Sequence, residues 1–172
     1  GTAYSGQRLL AQKIHLVDRD ENDDNVTINP VVVKNVGTAE ANSDITKIEV
    51  YRKDSAGSAE LLLGETTNLA GLRTSGVTIP TLQNNVVVDK PAGAETYLYI
   101  YVTIAAPESI ASGHTLQLQT RVLHTENQVS YDKHATGDQW TLAINHRPVP
   151  DFTFKKATTS AASAVPKADF TY

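Results

Sequence analysis

The sequence predicts an all-β protein, an antiparallel immunoglobulin-like β-sandwich of about 7–9 strands with an extended C-terminal tail. Apolar and polar residues alternate with a period of two along much of the chain, which is typical of strands with one face on a core. β-Branched residues and Tyr fill these runs, while Gly, Asn, Asp and Pro fill the gaps between them. No helical pattern separates the runs, so a sandwich is favoured over a parallel α/β sheet.

The clearest strand covers residues 96–105. Its even positions from 98 to 104 are apolar, whereas Tyr97, Tyr99 and Tyr101 occupy the odd ones. The apolar residues should therefore face the core and the tyrosines the opposite side.

Eight further strands are expected from similar patterns. In chain order they cover residues 8–17, 26–35, 45–53, 59–63, 77–79, 85–88, 114–125 and 139–145. Pro30 interrupts its run, which indicates an edge strand or a bulge there, because proline cannot donate to a strand ladder. Residues 136–138, Thr-Gly-Asp, are expected to form the turn before the last strand. We expect Glu49 and Tyr51 to face outward and Ile48 inward.

The sandwich is expected to occupy residues 1–145, and a linker or tail residues 146–172. Residues 1–7 show no core pattern and are interpreted as an N-terminal arm or a donor strand. The tail contains the low-complexity stretch 157–164, ATTSAASA, between two similar segments, VPDFTF and VPKADFTY. Each segment places two aromatic residues on one face: Phe152 and Phe154 in the first, Phe170 and Tyr172 in the second. Such short segments need a surface on which to bury their rings.

The net charge of −4 belongs to one short run. Residues 18–24, DRDENDD, hold five acids and one Arg, and the rest of the chain has 14 acids and 14 bases. This balance argues against a nucleic-acid partner, which requires clustered Lys and Arg. No apolar run approaches the length of about 20 residues that a membrane span requires. Because the chain does not begin with Met, we expect a processed, trimmed or internal segment.

The acidic run is a candidate calcium site. Its alternate residues Asp18, Asp20, Asn22 and Asp24 carry the oxygen ligands that Ca²⁺ prefers. An EF-hand is excluded, because Asp23 and Asn29 occupy the positions where that loop needs Gly and an acid. The alternative is a solvated acidic loop tip without a metal. Asn25 begins the sequon Asn-Val-Thr and is a candidate glycosylation site, with an unmodified Asn as the alternative.

The tyrosine stripe at 97, 99 and 101 has three interpretations. A ladder of tyrosines packs well on a half-exposed sheet, and Tyr is also enriched at subunit contacts. With Tyr51, Gln117 and Gln119 nearby, the stripe would alternatively stack on the rings of a glycan.

No residue pattern in the sequence points to an enzymatic reaction. The chain has no Cys, which removes thiolate zinc sites, iron–sulfur clusters and cysteine nucleophiles. Neither a G-x-S-x-G elbow nor a phosphate-binding glycine loop is present. We therefore predict a non-enzymatic protein without a cofactor other than the candidate Ca²⁺.

Two stretches resemble known extracellular modules. Residues 31–48, VVVKNVGTAEANSDITKI, resemble the opening of CARDB-like adhesion modules, in which an apolar strand precedes an N-x-G-T-x turn. The segments PVPDFTF and VPKADFTY resemble the P-x-A-D-F-T-Y start of PKD-type domains. Both families are immunoglobulin-like modules of bacterial and archaeal surface proteins. The resemblance implies a spacer, adhesion or filament-building role and no catalytic residues.

Two functions from different classes follow from these patterns. The first is an extracellular structural protein of a cell-surface filament, pilus or adhesin. It would assemble by strand addition into an open head-to-tail polymer of itself or with sister modules. The second is a carbohydrate-binding module of a secreted enzyme or scaffold, using the tyrosines and a structural calcium. A virion decoration domain is a third interpretation, and composition does not separate it from the first.

Overall fold

The computed structural model describes residues 1–16, 26–53, 59–80, 86–88, 96–126 and 129–144. The acidic run, the sequon at Asn25 and the tail from residue 145 lie outside these ranges. The predictions made for those segments therefore stay predictions.

The described residues form ten strands and no helix. In chain order these are β1 (Thr2–Tyr4), β2 (Arg8–Leu16), β3 (Val26–Asn35), β4 (Ile45–Lys53), β5 (Leu61–Thr66), β6 (Val77–Ile79), β7 (Val86–Val88), β8 (Thr96–Ile104), β9 (Thr115–Glu126) and β10 (Val129–Ala143). Within these ranges there is accordingly no helix long and apolar enough to cross a membrane.

The strands form two sheets, which confirms the predicted antiparallel β-sandwich. One sheet has the order β1-β10-β9-β3-β6, with β7 also paired to β3, and the other has the order β2-β8-β4-β5. All pairs are antiparallel except β1 with β10. The groups β2-β8-β4 and β10-β9-β3 follow the pairing of B-E-D and G-F-C in an immunoglobulin constant domain. The immunoglobulin-like assignment itself stays a prediction, and this pairing supports it.

The core lies between the two sheets and is formed by the predicted alternation. Along β8 every second residue is buried, and Leu98, Ile100 and Val102 are each 0% exposed. Leu116 and Leu118 of β9 are buried against them in the same cluster. Removing such side chains from water stabilises the fold by about 1.5–3 kcal/mol each. The sandwich thus depends on the period-2 pattern that predicted it.

Two expectations about strand ends were wrong. The last strand begins at Val129 rather than at residue 139, because residues 136–138 are not a turn but a bulge in β10. Residues 1–7 do have a core role: β1 pairs in parallel with β10, and Ala3 is fully buried. The interpretation of these residues as a donor strand to a neighbour stays a prediction.

Pro30 lies in an interior strand, and the expected bulge is present. The register between β3 and β9 shifts between Ile28 and Val31. On its other side β3 pairs with β7 before this point and with β6 after it. The missing N–H of Pro30 therefore falls where the ladder changes partners.

The edges of the two sheets approach each other on both sides of the sandwich. On one side Gln12 of β2 donates from Nε2 to the carbonyl oxygen of Ala135 (3.1 Å), and its Oε1 accepts from the Thr120 hydroxyl (2.6 Å). On the other side Gly64 of β5 lies so close to Pro80 that a Cβ would fall 1.7 Å from the Pro80 oxygen. We call these contacts the Gln12 seam and the Gly64 seam.

Candidate functional site

The outward surface of the β2-β8-β4-β5 sheet carries four tyrosines. Tyr97, Tyr99 and Tyr101 alternate with the buried residues of β8 and are half-buried. Tyr51 of β4 lies opposite Tyr99 in the register of the two strands. We call this surface the tyrosine face. The predicted stripe is therefore present, and Tyr51 is confirmed as its neighbour. Gln117 and Gln119 are not part of it, because they belong to β9 in the other sheet.

Basic side chains from β2 and β4 cover the tyrosine rings. The guanidinium carbon of Arg8 lies 3.7 Å from the ring centroid of Tyr101. The ammonium of Lys13 lies 4.2 Å from the centroid of Tyr97, and that of Lys53 5.7 Å from the centroid of Tyr99. Such cation–π contacts stabilise exposed surfaces by about 0.5–1 kcal/mol each.

One end of the tyrosine face is electrostatically paired. Arg8 Nε donates to Glu49 Oε2 (2.9 Å), Tyr51 donates its hydroxyl to Glu49 Oε1 (3.2 Å), and the Lys47 ammonium lies 3.5 Å from Oε1. Lys47 also pairs with Glu65 (2.6 Å). We call this set, with Tyr101, the paired end.

The ion pairs and hydrogen bonds of the paired end lower the pKa of Glu49. Glu49 points outward as expected, yet it is only 6% exposed. Burial alone would raise the pKa of its carboxyl group, but the Arg8 hydrogen bond and the neighbouring Lys47 outweigh burial and hold it below 4.5. At the same end, burial and the Glu60 carboxylate raise the pKa of Tyr101, whose hydroxyl donates to Glu60 Oε1 (3.1 Å).

The other end of the face is basic and aromatic. His15 stacks on Tyr97 with ring centroids 4.5 Å apart, and Tyr97 meets Tyr99 edge-on at 6.4 Å. The ammoniums of Lys13 and Lys53 lie 5.5 Å and 5.7 Å from the Tyr99 centroid. Among the described residues, neither lysine has a carboxylate within 4.0 Å. We call these five residues the basic end.

This arrangement fits an acidic ligand better than a neutral sugar. A neutral ring stacking on Tyr97 or Tyr99 would have to displace the cation already on that ring. A carboxylate would instead meet two ammoniums whose aromatic contacts it need not break. Within the described ranges, Lys13 and Lys53 are thus two cations of this face that have ring contacts but no carboxylate within 4.0 Å.

The residues predicted as calcium ligands lie outside the described ranges: Asp18, Asp20, Asn22 and Asp24. The same holds for Asn25 and for the tail aromatics Phe152, Phe154, Phe170 and Tyr172. Among the described residues, no group of three or more His, Asp or Glu side chains could hold a metal ion.

A buried carboxylate that the pattern did not reveal lies at the end of the sandwich. Asp44 is 1% exposed and accepts hydrogen bonds from the backbone N–H groups of Glu40 and Ala111, each at 2.7 Å. His114 Nδ1 lies 2.7 Å from the same carboxylate. Burial would raise the pKa of Asp44, but these partners together lower it from 3.8. The sequence pattern did not single out this acid, because two of its partners, Ala111 and His114, lie in a loop that is distant in the sequence.

The N-x-G-T turn has a structural explanation. Asn35 is buried, donates to the Ala39 oxygen (2.8 Å) and accepts from the N–H groups of Gly37 and Gln117, each at 2.9 Å. A Cβ on Gly37 would fall 2.2 Å from the Thr115 oxygen. These residues join β3 to β9, so the motif serves packing rather than ligand binding.

Comparison with known proteins adds no family. No protein-family model matches the chain, and no curated protein matches it. The resemblance to CARDB-like and PKD-type modules stays a prediction based on the two short stretches that suggested it.

Proposed function

We propose that this chain is a non-enzymatic extracellular structural module of a cell-surface filament, pilus or adhesin. It assembles in series with copies of itself, or with sister modules, by adding an extended tail segment to a neighbour. The polymer is open and head-to-tail, because one surface donates and a different surface accepts.

The observation that carries the proposal is that the described residues form a two-sheet sandwich around one buried core cluster. Residues from the strands and from the loops between them form one buried cluster, in which Leu69, Leu116 and Leu142 are at most 1% exposed. In this proposal the four tail aromatics bind a surface of another chain: Phe152, Phe154, Phe170 and Tyr172. Aromatic residues at alternate positions suit an extended segment that binds another chain.

Sedimentation velocity and negative-stain electron microscopy of the full chain test the proposal. We expect wild type to form longer species as concentration rises, and the variant F152S/F154S/F170S/Y172S to stay monomeric. Val36→Ser, which changes an apolar residue 45% exposed outside the tail, is the control and should assemble as wild type does. Unchanged assembly of the fourfold variant would exclude the tail as donor.

A carbohydrate-binding module is the second candidate, and the four half-buried tyrosines on one face favour it. The cations over their rings count against it. Binding to a glycan array that disappears in Tyr99→Ala would support this function, and an absence of binding across the array would exclude it.

Calcium at Asp18, Asp20, Asn22 and Asp24 and a glycan on Asn25 belong to the same proposal. Both would suit a protein outside the cell. Calorimetric titration with Ca²⁺ and mass measurement of protein from its native source test them directly.

A further inference from the structure

We propose that strand β1 exchanges between two copies of this chain. In the exchanged dimer, residues 1–5 of each copy leave their own β10 and take the same place on β10 of the second copy. The inference goes beyond the proposed tail contact and does not depend on it, because the tail takes no part in the exchange. It identifies the edge of β10 as an interaction surface and a second copy of the chain as its partner.

The first argument is that β1 is a small element with few contacts of its own. It has three residues, and its pairing with β10 is the one parallel pairing between the described strands. Ala3 is the one residue of β1 in the core cluster. A short terminal element of this kind opens locally at a small part of the free energy of global unfolding. Release of β1 therefore leaves the rest of the sandwich folded.

The second argument is the turn that joins β1 to β2. Gln7 N–H donates to the Tyr4 oxygen (3.0 Å), and Tyr4 N–H donates to Gln7 Oε1 (2.9 Å). Gly6, between them, has a φ of 73°, which is in the left-handed region. Residues 4–7 thus form a β-turn, which we call the hinge turn. When it straightens, β1 and β2 become one continuous strand from Thr2 to Leu16.

Exchange replaces each contact of β1 by the same contact in the second copy. Thr141 N–H again donates to a Gly1 oxygen, and Ser5 N–H again donates to an Ala143 oxygen, but each bond now joins two chains. These contacts are therefore equal in the closed monomer, where β1 lies on its own β10, and in the exchanged dimer. The balance between the two states depends on the hinge turn and on the new contact where the chains cross, set against the entropy of association.

The third argument is a pair of apolar side chains on either side of the hinge turn. Four large hydrophobic side chains of the described residues are exposed, and two of them, Tyr4 (47%) and Leu10 (36%), flank this turn. In a continuous strand both point to the same side, because an even number of residues separates their positions. Gln7 lies midway between them. Two copies that cross antiparallel at Gln7 therefore place Tyr4 of one opposite Leu10 of the other, and bury side chains that the closed monomer exposes to water.

The exchanged dimer is closed and has twofold symmetry. Ser5 N–H bonds to Ala143 at the end of β10, and Gly6 N–H bonds to Ala105 just after β8, so the donor strand leaves from the edge at which the acceptor lies. One copy gives and receives at the same place, which makes the contact isologous. The tail contact of the proposed function is heterologous. The two contacts are therefore compatible: exchange joins copies in pairs, and the tail contact joins them in series.

An engineered disulfide distinguishes the closed monomer from the exchanged dimer. Thr2 and Thr141 are register partners on β1 and β10, and both are exposed. Neighbouring strands lie roughly 4.8 Å apart, within the Cα separation that a disulfide spans. The chain has no Cys of its own, so T2C/T141C forms no other disulfide within one chain.

The variant T2C/T141C is refolded from urea at increasing protein concentration, oxidised and run on a denaturing gel without reductant. We expect a single-chain band at low concentration and a growing band of covalent dimer at high concentration. The control T115C/T141C joins β9 to β10 within one sandwich and should stay a single chain throughout. Both variants are also made in the fourfold tail variant F152S/F154S/F170S/Y172S, where the same result is expected because the tail takes no part.

A substitution in the hinge turn should shift the balance towards exchange. G6V places a β-branched residue at a φ of 73°, where it is strained, whereas the same residue fits an extended hinge. We expect the concentration at which half the chains are dimeric to fall roughly tenfold or more, because each dimer relieves two hinges. G113V is the matched control: Gly113 also has a positive φ, 89°, and space for a Cβ, but it lies outside the hinge turn. It should dimerise as wild type does.

The crossing surface is tested by removing its apolar side chains. Y4S/L10S should raise the concentration for half dimerisation roughly tenfold, because the dimer then buries less apolar surface. V36S/L61S removes the other two exposed large hydrophobic side chains and should leave that concentration unchanged. Sedimentation velocity measures dimerisation, and circular dichroism with a urea midpoint verifies folding. Equal dimerisation of the two double variants would overturn the crossing at Gln7.

Each remaining contrary result has a distinct meaning. A single-chain band for T2C/T141C at every concentration, with and without G6V, would overturn the exchange and leave the proposed function standing. The same holds if G6V only detaches β1. In that case no T2C/T141C disulfide forms, and the emission of Trp140 shifts to the red, because Gly1 packs against this single tryptophan. Covalent dimers in a fourfold tail variant that still assembles in series would instead support the exchange and exclude the tail as donor.

Discussion

At the scale of single residues, Asp44 joins two loops that are far apart in the sequence. Its carboxylate accepts from Glu40 N–H, Ala111 N–H and His114. Asp44→Asn keeps the shape but turns an NH₂ group toward donors, so we expect a loss of about 2–4 kcal/mol in the free energy of unfolding. Urea denaturation measures it, with the exposed Asp138→Asn as control. Equal stability of the two variants would show that the carboxylate has no such role.

Arg8 is a second residue with a measurable contribution, because it contacts both an aromatic ring and a buried acid. Arg8→Leu removes the cation over Tyr101 and leaves Glu49 with Lys47 and Tyr51 alone. We expect a loss of about 1–2 kcal/mol, discounted because the Arg8 side chain is 43% exposed. The double variant Arg8→Leu/Glu49→Leu should recover part of this loss in the same denaturation experiment, since no unpaired charge remains. A double variant less stable than Arg8→Leu would contradict this account.

At the scale of elements, the Gly64 seam fixes β5 against the end of β6. A Cβ at residue 64 would lie 1.7 Å from the Pro80 oxygen, so Gly64→Ala must displace one of the two strands. Overpacking of this kind costs about 1–3 kcal/mol or more. Gly6→Ala is the matched control, because nothing lies within 4 Å of its Cβ and only its positive φ is strained. In thermal melts, Gly64→Ala should lower the melting temperature more than Gly6→Ala does. An equal decrease in the two variants would mean that the Gly64 seam can relax around the added methyl group.

The strands that could be predicted from the sequence are those whose own residues alternate over a long run. Strand β8 was expected at residues 96–105 and runs from Thr96 to Ile104, because its alternation persists over nine residues. Strand β1 was missed, because three residues are too few for a period and its place depends on β10. The first half of β10 was missed as well, since Thr-Gly-Asp reads as a turn but forms a bulge when β9 supplies the ladder.

The candidate site was predicted in part for the same reason. The tyrosines share one strand, so alternation alone placed them on one face. Their cations come from β2 and β4, and the register that brings Lys13 opposite Tyr99 and Lys53 opposite Tyr97 depends on bulges in both strands. No local pattern determines such a register. Gln117 and Gln119 were wrongly placed nearby because consecutive strands β8 and β9 belong to different sheets.

At the scale of the whole molecule, the sandwich protects the edges that would promote uncontrolled association. Both edge strands of the β2-β8-β4-β5 sheet carry a register shift in their pairing, β2 between Leu10 and Gln12 and β5 between Leu62 and Gly64. Bulges and covered edges both reduce edge-to-edge pairing of sheets. The proposed serial assembly needs this property, because only the intended donor and acceptor should join.

The stability of the whole molecule should depend on acid pH in a defined direction. The pKa values of Asp44 and Glu49 are lowered in the folded state from 3.8 and 4.5. A group with a lowered folded pKa stabilises the fold above its unfolded pKa and loses that contribution as pH falls through the folded value. The urea midpoint should therefore stay constant between neutral pH and about pH 5 and decrease below about pH 4.5. Each of the two carboxylates can lower the free energy of unfolding by at most about 1.4 kcal/mol per pH unit.

The Asp44→Asn variant isolates one of these two groups. Its free energy of unfolding should start lower at neutral pH and fall less steeply on acidification, so that the difference from wild type narrows as Asp44 protonates. A constant difference between Asp44→Asn and wild type from pH 7 to pH 2 would mean that Asp44 contributes by shape alone. A stability that rises on acidification would contradict the lowered pKa values themselves, because the folded state would then bind protons more tightly than the unfolded chain.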